Sequence, residues 1–287
     1  MKKKIAIIGL GELGAKHFKE LRRSDYFDLV ALYDREKTDD FGPRYPLYND
    51  LVKMFDSTKP DAVVIATPPS SHKEIILKCI PFTKNIFVES PFAGNLSEAR
   101  EINYSATINS AKLAIGYSTR YNPVIISLCR ELAKDEKIYS INFINGFSKD
   151  SENSSASELI KDFDLIRLLS RSEISSANIC KNGDLQNGIG VALRTKSMCS
   201  CSLLISNSYP ALRHGVEICT DSGGYFGDLI GLSLFKQTSE GRVNQRVDRD
   251  DYALRYQHKA FLNLIENGKF EGISTPEDAI KLKELIS

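Results

Sequence analysis

Ile5-Ala6-Ile7-Ile8-Gly9-Leu10-Gly11-Glu12-Leu13-Gly14 is an apolar run that breaks into a glycine-spaced turn, and apolar residues then return at helical spacing over 13–23. Glycines at the first, third and sixth places of a strand–turn–helix are the fingerprint of a dinucleotide-binding turn. Gly9 permits the tight turn, Gly11 lets the backbone approach a pyrophosphate, and Gly14 lets the helix pack closely on the strand. The helix N-terminus then faces the phosphates. Leu10, Glu12 and Leu13 fill the turn and are expected at the cofactor with the three glycines. The fingerprint alone is weak; its place between a strand and a helix makes it specific.

Outward from this turn, β-rich runs alternate with helical stretches up to about residue 118. Strands are expected at 27–33, 62–66, 85–88 and 113–117, and helices at 51–55, 72–79 and 97–110. Uninterrupted apolar strands separated by helices predict a doubly wound parallel sheet covered on both faces, the Rossmann class of α/β fold. Asp34 ends the second strand about 20 residues past the last glycine, where an acid accepts hydrogen bonds from the ribose 2′-hydroxyl. A carboxylate there favours NAD, while Arg35 beside it could clamp a 2′-phosphate, so NADP stays open. Thr67, Pro68 and His72 follow the 62–66 strand at the carboxyl edge of the sheet, where ligands bind in such folds. Glu89 ends the next strand and is expected in the same crevice. Plainer roles are a strand terminator for Thr67-Pro68 and a cap acid for Glu89.

The pattern changes after Tyr121-Asn-Pro123. A helix at 124–132 leads into a strand at 138–147. A polar segment at 148–157 reads as a loop suited to substrate contacts. A helix at 162–169 precedes strands at 176–180, 190–195, 199–206, 216–220, 225–230 and 232–236. Asp221-Ser-Gly-Gly224 carries hairpin chemistry between two of these strands. A helix at 252–267 ends at Gly268, and Thr275-Pro276 starts the last one as N-cap and first helical residue. This half predicts an α+β domain with a mostly antiparallel, open sheet. The expected division is a cofactor domain at 1–120 and a substrate and oligomerisation domain at 121–287, whose last helices can pack back on the first domain.

The 287 residues are 42% hydrophobic and 26% charged with a formal net charge of +1, ordinary for a globular protein. That balance gives no electrostatic ground for a nucleic-acid or anionic-membrane partner. The apolar runs are strand-sized and far short of a membrane span. Met1-Lys2-Lys3-Lys4 resembles the start of a signal peptide, but no apolar region of sufficient length follows, so no targeting segment is expected and the location reads as cytoplasmic. Cys79, Cys129, Cys180, Cys199, Cys201 and Cys219 contain no CxxC pair and read as unpaired core thiols. His17, His214 and His258 lack metal-ligand spacing, so no metal is expected.

Taken together, the fingerprint, Ala66-Thr-Pro-Pro-x-x-His72, Glu89-x-Pro91, Gly116-Tyr117-x-x-Arg120-Tyr-Asn-Pro123 and Asp162-Phe-Asp164-Leu165 resemble the glucose–fructose oxidoreductase / inositol dehydrogenase family, Gfo/Idh/MocA. The likeness runs on through 256–261 and 275–285. It implies a nicotinamide-dependent oxidoreductase acting on a sugar, polyol or nucleotide sugar, and a homodimer or homotetramer. Ser90, Tyr117 and Arg120 are then expected at the substrate, and Asp164 in the catalytic pocket. Without the resemblance, Arg120 reads as a partner for an acid, Asp164 as a first-turn helix acid and Tyr117 as core.

The chain also departs from that family. Members carry Glu-Lys-Pro where this chain has Glu89-Ser90-Pro91. The family's lysine hydrogen-bonds the reacting hydroxyl and assists its deprotonation, which an unperturbed serine cannot do at neutral pH. The family's histidine before the acid-rich helix aligns with Lys161. Two readings stand. In one, Lys161 takes over the proton relay, a partly desolvated lysine being able to titrate nearer the working range. In the other, the relay is lost and the protein is a catalytically degenerate sensor or partner protein that binds a dinucleotide without turnover.

Overall fold

The computed structural model describes residues 2–37, 41–133, 137–147, 155–181, 188–250 and 252–286. The chain divides into two compact units, Met1–Tyr117 with Leu254–Leu285, and Ser118–Ala253.

The first unit contains β1 (Lys3–Ile8), α1 (Glu12–Leu21), β2 (Phe27–Tyr33), β3 (Leu47–Tyr48), α2 (Leu51–Thr58), β4 (Ala62–Ile65), α3 (Pro69–Cys79), β5 (Asn85–Glu89), α4 (Leu96–Ile108) and β6 (Lys112–Gly116). The six strands lie in the order β3-β2-β1-β4-β5-β6, every pair parallel. This is the doubly wound arrangement, with the order reversing between β1 and β4. Ile5 to Ile8 and Ala62 to Ile65 are fully buried, as strands covered on both faces must be.

The second unit contains a 3₁₀ turn at Ser118–Tyr121, α5 (Pro123–Leu132), β7 (Ile138–Gly146), α6 (Ser155–Ser170), β8 (Ile174–Lys181), β9 (Ile189–Thr195), β10 (Ser200–Ser206), β11 (Arg213–Thr220), β12 (Gly223–Asp228), β13 (Ser233–Thr238) and β14 (Gly241–Asn244). The chain then returns to the first unit with α7 (Ala253–Asn267) and α8 (Pro276–Glu284). The second sheet runs β14-β13-β12-β11-β7-β10-β9-β8 and is antiparallel except for the β7–β10 pair. Burial alternates along β9, β10 and β11. One face is covered by α5 and α6 and the other carries the exposed positions, the usual pattern of a one-sided antiparallel sheet. Fold class is therefore as the sequence predicts: a parallel Rossmann sheet and a second, mostly antiparallel one.

Some boundaries move. The strand expected at 225–230 stops at Asp228, because its carboxylate accepts hydrogen bonds from Ile230 N and Gly231 N and folds the chain into a turn. The helix expected at 162–169 begins at Ser155, so the last positions of the loop expected at 148–157 are helical. Residues 148–154 lie outside the described residues. All six cysteines are free, but only part of the expectation of core thiols holds. Cys180 and Cys219 are exposed, Cys219 because its neighbours Ile218 and Thr220 take the buried phase of β11. Cys199 and Cys201 are buried with their sulfurs 3.7 Å apart on one face.

A polar chain crosses the core of the first unit. His17 Nε2 bonds Glu89 Oε1 at 2.8 Å, and His17 Nδ1 bonds His258 Nε2 at 2.9 Å. The carboxylate accepts from His17 Nε2–H, so His17 Nδ1 accepts from His258 and leaves His258 Nδ1 without a partner. Burial, with repulsion from His17 added, holds the pKa of His258 well below its ordinary value, and burial lowers that of His72. A histidine with a depressed folded pKa destabilises the fold as pH falls, because the unfolded chain takes up the proton first. Each costs up to about 1.4 kcal/mol per pH unit below roughly 6.5. Unfolding measured at pH 7.5 and 5.5 is expected to show this loss, with the His258 ring resonances titrating well below the ordinary histidine range. A His258 ring that titrates near 6.5 would refute the account.

Candidate functional site

A cavity of about 660 Å³ opens over the glycine turn of the first unit, lined by Gly9, Leu10, Gly11, Tyr33 to Lys37, Ala66 to Pro68, Ser70, Ser71, Glu74 and Lys78 among others. Gly9 has φ +93°, and a Cβ on it would lie 2.6 Å from Thr67 Cγ2. A Cβ on Gly14 would run into the carbonyl oxygen of Gly9, whereas one on Gly11 would meet nothing within 4 Å. The turn is thus tight on its inner side and open on the side facing the cavity. Gly11 is the N-cap of α1 and supplies no capping side chain, so the first N–H groups of the helix are not claimed by one. These features fit a dinucleotide pyrophosphate.

Asp34 borders the same cavity. Its Oδ2 accepts from Leu10 N at 2.8 Å and its Oδ1 from Glu36 N at 3.0 Å and Lys37 N at 3.1 Å. Partial burial works against ionisation, but these backbone donors outweigh it and lower its pKa. A carboxylate offers about four lone-pair sites, so the anion is fixed in place and keeps acceptor capacity for a ribose hydroxyl. Arg35, Lys37 and Lys78 also line the cavity. Lys37, Ser70, Ser71, Glu74 and Lys78 are additional to the residues expected from sequence. On α3, the spacing 71, 74, 78 is the helical periodicity that could have identified a cavity-facing stripe.

The other expected cofactor residues are placed differently. Glu12 is exposed and pairs with Lys16 at 2.6 Å, and Leu13 is also exposed. His72 is buried, its Nε2 2.7 Å from Thr67 O, so it braces the Thr67-Pro68 segment from behind. Glu89 is buried against His17. None of these four is among the cavity's lining residues. Ser90 follows β5 with its N–H donating to Gly116 O at 3.2 Å, and Tyr117 is buried.

In the second unit α6 holds two polar networks. Asp164 is fully buried in a two-pronged ion pair with Arg120, at 2.5 and 2.6 Å. This is the partner-for-an-acid geometry open to Arg120 from sequence. Lys161 belongs to the second network. Its Nζ donates to Glu158 Oε1 at 2.7 Å. Asn145 Nδ2 on β7 donates to both Glu158 Oε2 and Asp162 Oδ2, each at 3.2 Å. Asp162 Oδ1 in turn accepts from His214 Nε2 on β11 at 2.8 Å. Residues 158, 161 and 162 meet because positions three and four apart share a helix face. Asn145 and His214 join them because they are cross-strand neighbours. Glu158, Asp162, Asn145 and His214 are all additional to the expected residues. The Glu158/Asp162 spacing was available in the sequence, while the contact of His214 across 52 residues was not.

Among the described residues no group of three His, Cys, Asp or Glu is arranged to hold a metal, and no helix is long and apolar enough to cross a membrane.

Residues 3–117 match the oxidoreductase family with an NAD-binding Rossmann fold, GFO_IDH_MocA. A myo-inositol 2-dehydrogenase of Thermotoga maritima is 22% identical over 97% of this chain and 93% of its own. The NAD(+)-dependent scyllo-inositol 2-dehydrogenase of Bacillus subtilis is 27% identical over 60% of this chain, and the match spans 55% of that protein. Among solved structures, a UDP-N-acetylglucosamine 3-dehydrogenase of Acidithiobacillus ferrooxidans superposes with a TM-score of 0.84 over 98% of this chain and 94% of that one, at 18% identity, a likeness of fold. The family match and the inositol dehydrogenases support the Gfo/Idh/MocA resemblance and a nicotinamide dinucleotide as cofactor.

Proposed function

We propose that the protein is an NAD-dependent oxidoreductase acting on a hydroxyl-bearing carbon of a sugar, polyol or nucleotide sugar, with its proton-handling moved from the position of Ser90 to Lys161. The observation that carries the reading is the cavity over Gly11, bordered by an ionised Asp34. Gly9, Leu10, Gly11 and the start of α1 would hold the pyrophosphate, Asp34 the adenosine ribose, and Thr67 and Pro68 the nicotinamide-side ribose. The bound nicotinamide supplies hydride transfer, and the protein contributes binding, orientation and proton movement. The names of the inositol dehydrogenases among the relatives favour a small polyol substrate. Assembly as a homodimer or homotetramer and a cytoplasmic location belong to the same reading.

The test adds NAD and then NADP to purified protein across sugars, polyols and nucleotide sugars, following nicotinamide absorbance and thermal shift together. Reduction with any one class is expected. Dinucleotide binding without reduction, and without reoxidation of NADH by keto-sugars, would instead establish the degenerate binding protein that the loss of lysine at Ser90 suggests.

Asp34 makes the cofactor preference testable. Its charge opposes a 2′-phosphate, while Arg35, Lys37 and Lys78 border the same cavity. Asp34→Ser is therefore expected to move preference toward NADP by about tenfold or more, roughly the 1.4 kcal/mol that separates a tenfold change in affinity. The two dissociation constants measured on wild type and variant decide it, and an unchanged ratio would free Asp34 from this role.

A further inference from the structure

The cavity over the glycine turn has a wall that the pyrophosphate and ribose contacts leave unused. Helix α3 presents Ser71, Glu74, Ile75 and Lys78 to the cavity, and the end of β2 presents Tyr33 and, just after it, Arg35. The two sides are near each other. Burial raises the pKa of the Tyr33 hydroxyl, and the charges of Lys78, Arg35, Asp34 and Glu74 all act on it, so these groups share one neighbourhood. A dinucleotide held by its pyrophosphate at the turn and by its ribose at Asp34 has this wall left for its adenine. Leu51 on α2 and Ile75 add apolar surface there for a ring.

The polar members of this wall form a fixed pair. Glu74 Oε1 accepts from Lys78 Nζ at 2.5 Å, and both side chains are exposed to the cavity mouth. Glu74 Oε2 takes no hydrogen bond from the described residues. The bond between them lowers the pKa of Glu74 and raises that of Lys78, so both are charged at neutral pH. An ionised carboxylate only accepts hydrogen bonds. Of the polar groups on the edges of adenine, the exocyclic amino group is the donor, and the ring nitrogens are acceptors.

We propose that Glu74 is the residue that selects adenine in the bound dinucleotide, its Oε2 accepting from the exocyclic amino group while Lys78 holds Oε1. The assignment rests on the cofactor reading above. In hypoxanthine a carbonyl oxygen replaces that amino group, so two acceptors would face each other across the contact. A site built to bond a donor rejects the analogue that lacks it. The plainer role for the pair is an exposed i,i+4 contact that steadies α3, as Glu12 and Lys16 make on α1. That role gives no preference between the two bases. Glu12 and Lys16 lie outside the cavity lining, whereas Glu74 and Lys78 are both part of it.

The experiment measures, by calorimetry, the dissociation constants of NAD and of nicotinamide hypoxanthine dinucleotide for wild type, Glu74→Ala and Glu74→Gln. The two dinucleotides differ only on one edge of the purine, so their ratio cancels what the turn, the riboses and the nicotinamide contribute. Wild type is expected to prefer NAD about tenfold. In Glu74→Ala the ratio should fall to one or below, because the released Lys78 ammonium then meets the carbonyl oxygen of hypoxanthine. In Glu74→Gln it should fall toward one, since an amide offers both an acceptor and a donor. An unchanged melting transition shows that each variant is folded, and should Glu74→Ala fail to fold, Glu74→Gln carries the test. Wild type that binds both dinucleotides equally, or a preference for NAD that survives in Glu74→Ala, would overturn the assignment alone. Wild type that binds neither would overturn the cofactor reading, and the assignment with it.

Discussion

Alanine at Gly14 is expected to cost the protein a large share of its stability, whereas alanine at Gly11 is expected to leave the fold intact and weaken dinucleotide binding about tenfold or more. The two residues sit three apart in one turn, and the difference follows from what a methyl group would meet. At Gly14 it would enter the carbonyl oxygen of Gly9. Gly9 cannot withdraw, since its φ is +93° and its own hydrogen already faces Thr67 and Ala66. The strand behind it, Ile5 to Ile8, is fully buried. Overpacking such a contact costs about 1–3 kcal/mol, occasionally more, and here the obstacle is backbone, so about 3 kcal/mol or above is expected. That is a large share of the roughly 5–15 kcal/mol that holds a domain folded. At Gly11 the methyl meets only open space, and its backbone (φ −64°, ψ −164°) is one that alanine adopts freely. The stability change should stay within about 1 kcal/mol. The methyl would, however, stand where a pyrophosphate has to approach, and NAD affinity should fall about tenfold or more. Urea unfolding and ligand-induced thermal shift on both variants separate the effects. Equal destabilisation by the two, or undiminished NAD binding by Gly11→Ala, would remove the dinucleotide from this turn.

The contrast also shows what was legible in the sequence. The turn, the parallel first sheet and the mostly antiparallel second sheet could be read because each rests on local pattern: glycine spacing, continuous apolar strands separated by helices, and successive strands joined by hairpin chemistry. The N-cap at Thr275 with Pro276 as first helical residue was legible for the same reason, and the structure adds Asp278 as its capping-box partner. Residues whose roles depend on contacts remote in sequence were not. His72 looked like a cavity residue by position, but the register of α3 turns it inward to Thr67 O. Glu89 sits at a strand end as expected, yet is taken up by His17 on α1. His214 looked isolated because its partner Asp162 lies on a helix packed on β7 and β10, and only the sheet topology sets β11 beside β7. Even the strand ends followed this division, since the hairpin glycines at 223 and 224 were visible while the side-chain turn at Asp228 was not.

The second large effect is expected from Lys161→Met, which should lower turnover by about 10²–10⁴-fold while leaving the dissociation constant for the dinucleotide nearly unchanged. Methionine keeps the apolar stem of lysine and removes only the ammonium. Lys161 is not among the residues lining the cavity over Gly11, so loss of the charge there gives no reason for loss of cofactor affinity. The change also has a structural cost that must be separated from chemistry. Glu158 is buried and would keep only its bond from Asn145, and a buried carboxylate stripped of its cation is destabilising by about 1–3 kcal/mol. Pairing the variant with Glu158→Gln removes that charge while retaining an amide oxygen to face Asn145. If Lys161 matters only by holding the helix face together, the double variant should recover both stability and turnover. If Lys161 handles the reacting proton, stability should recover and turnover should not, which is the expected result. Turnover unchanged in Lys161→Met itself would exclude the lysine from the reaction.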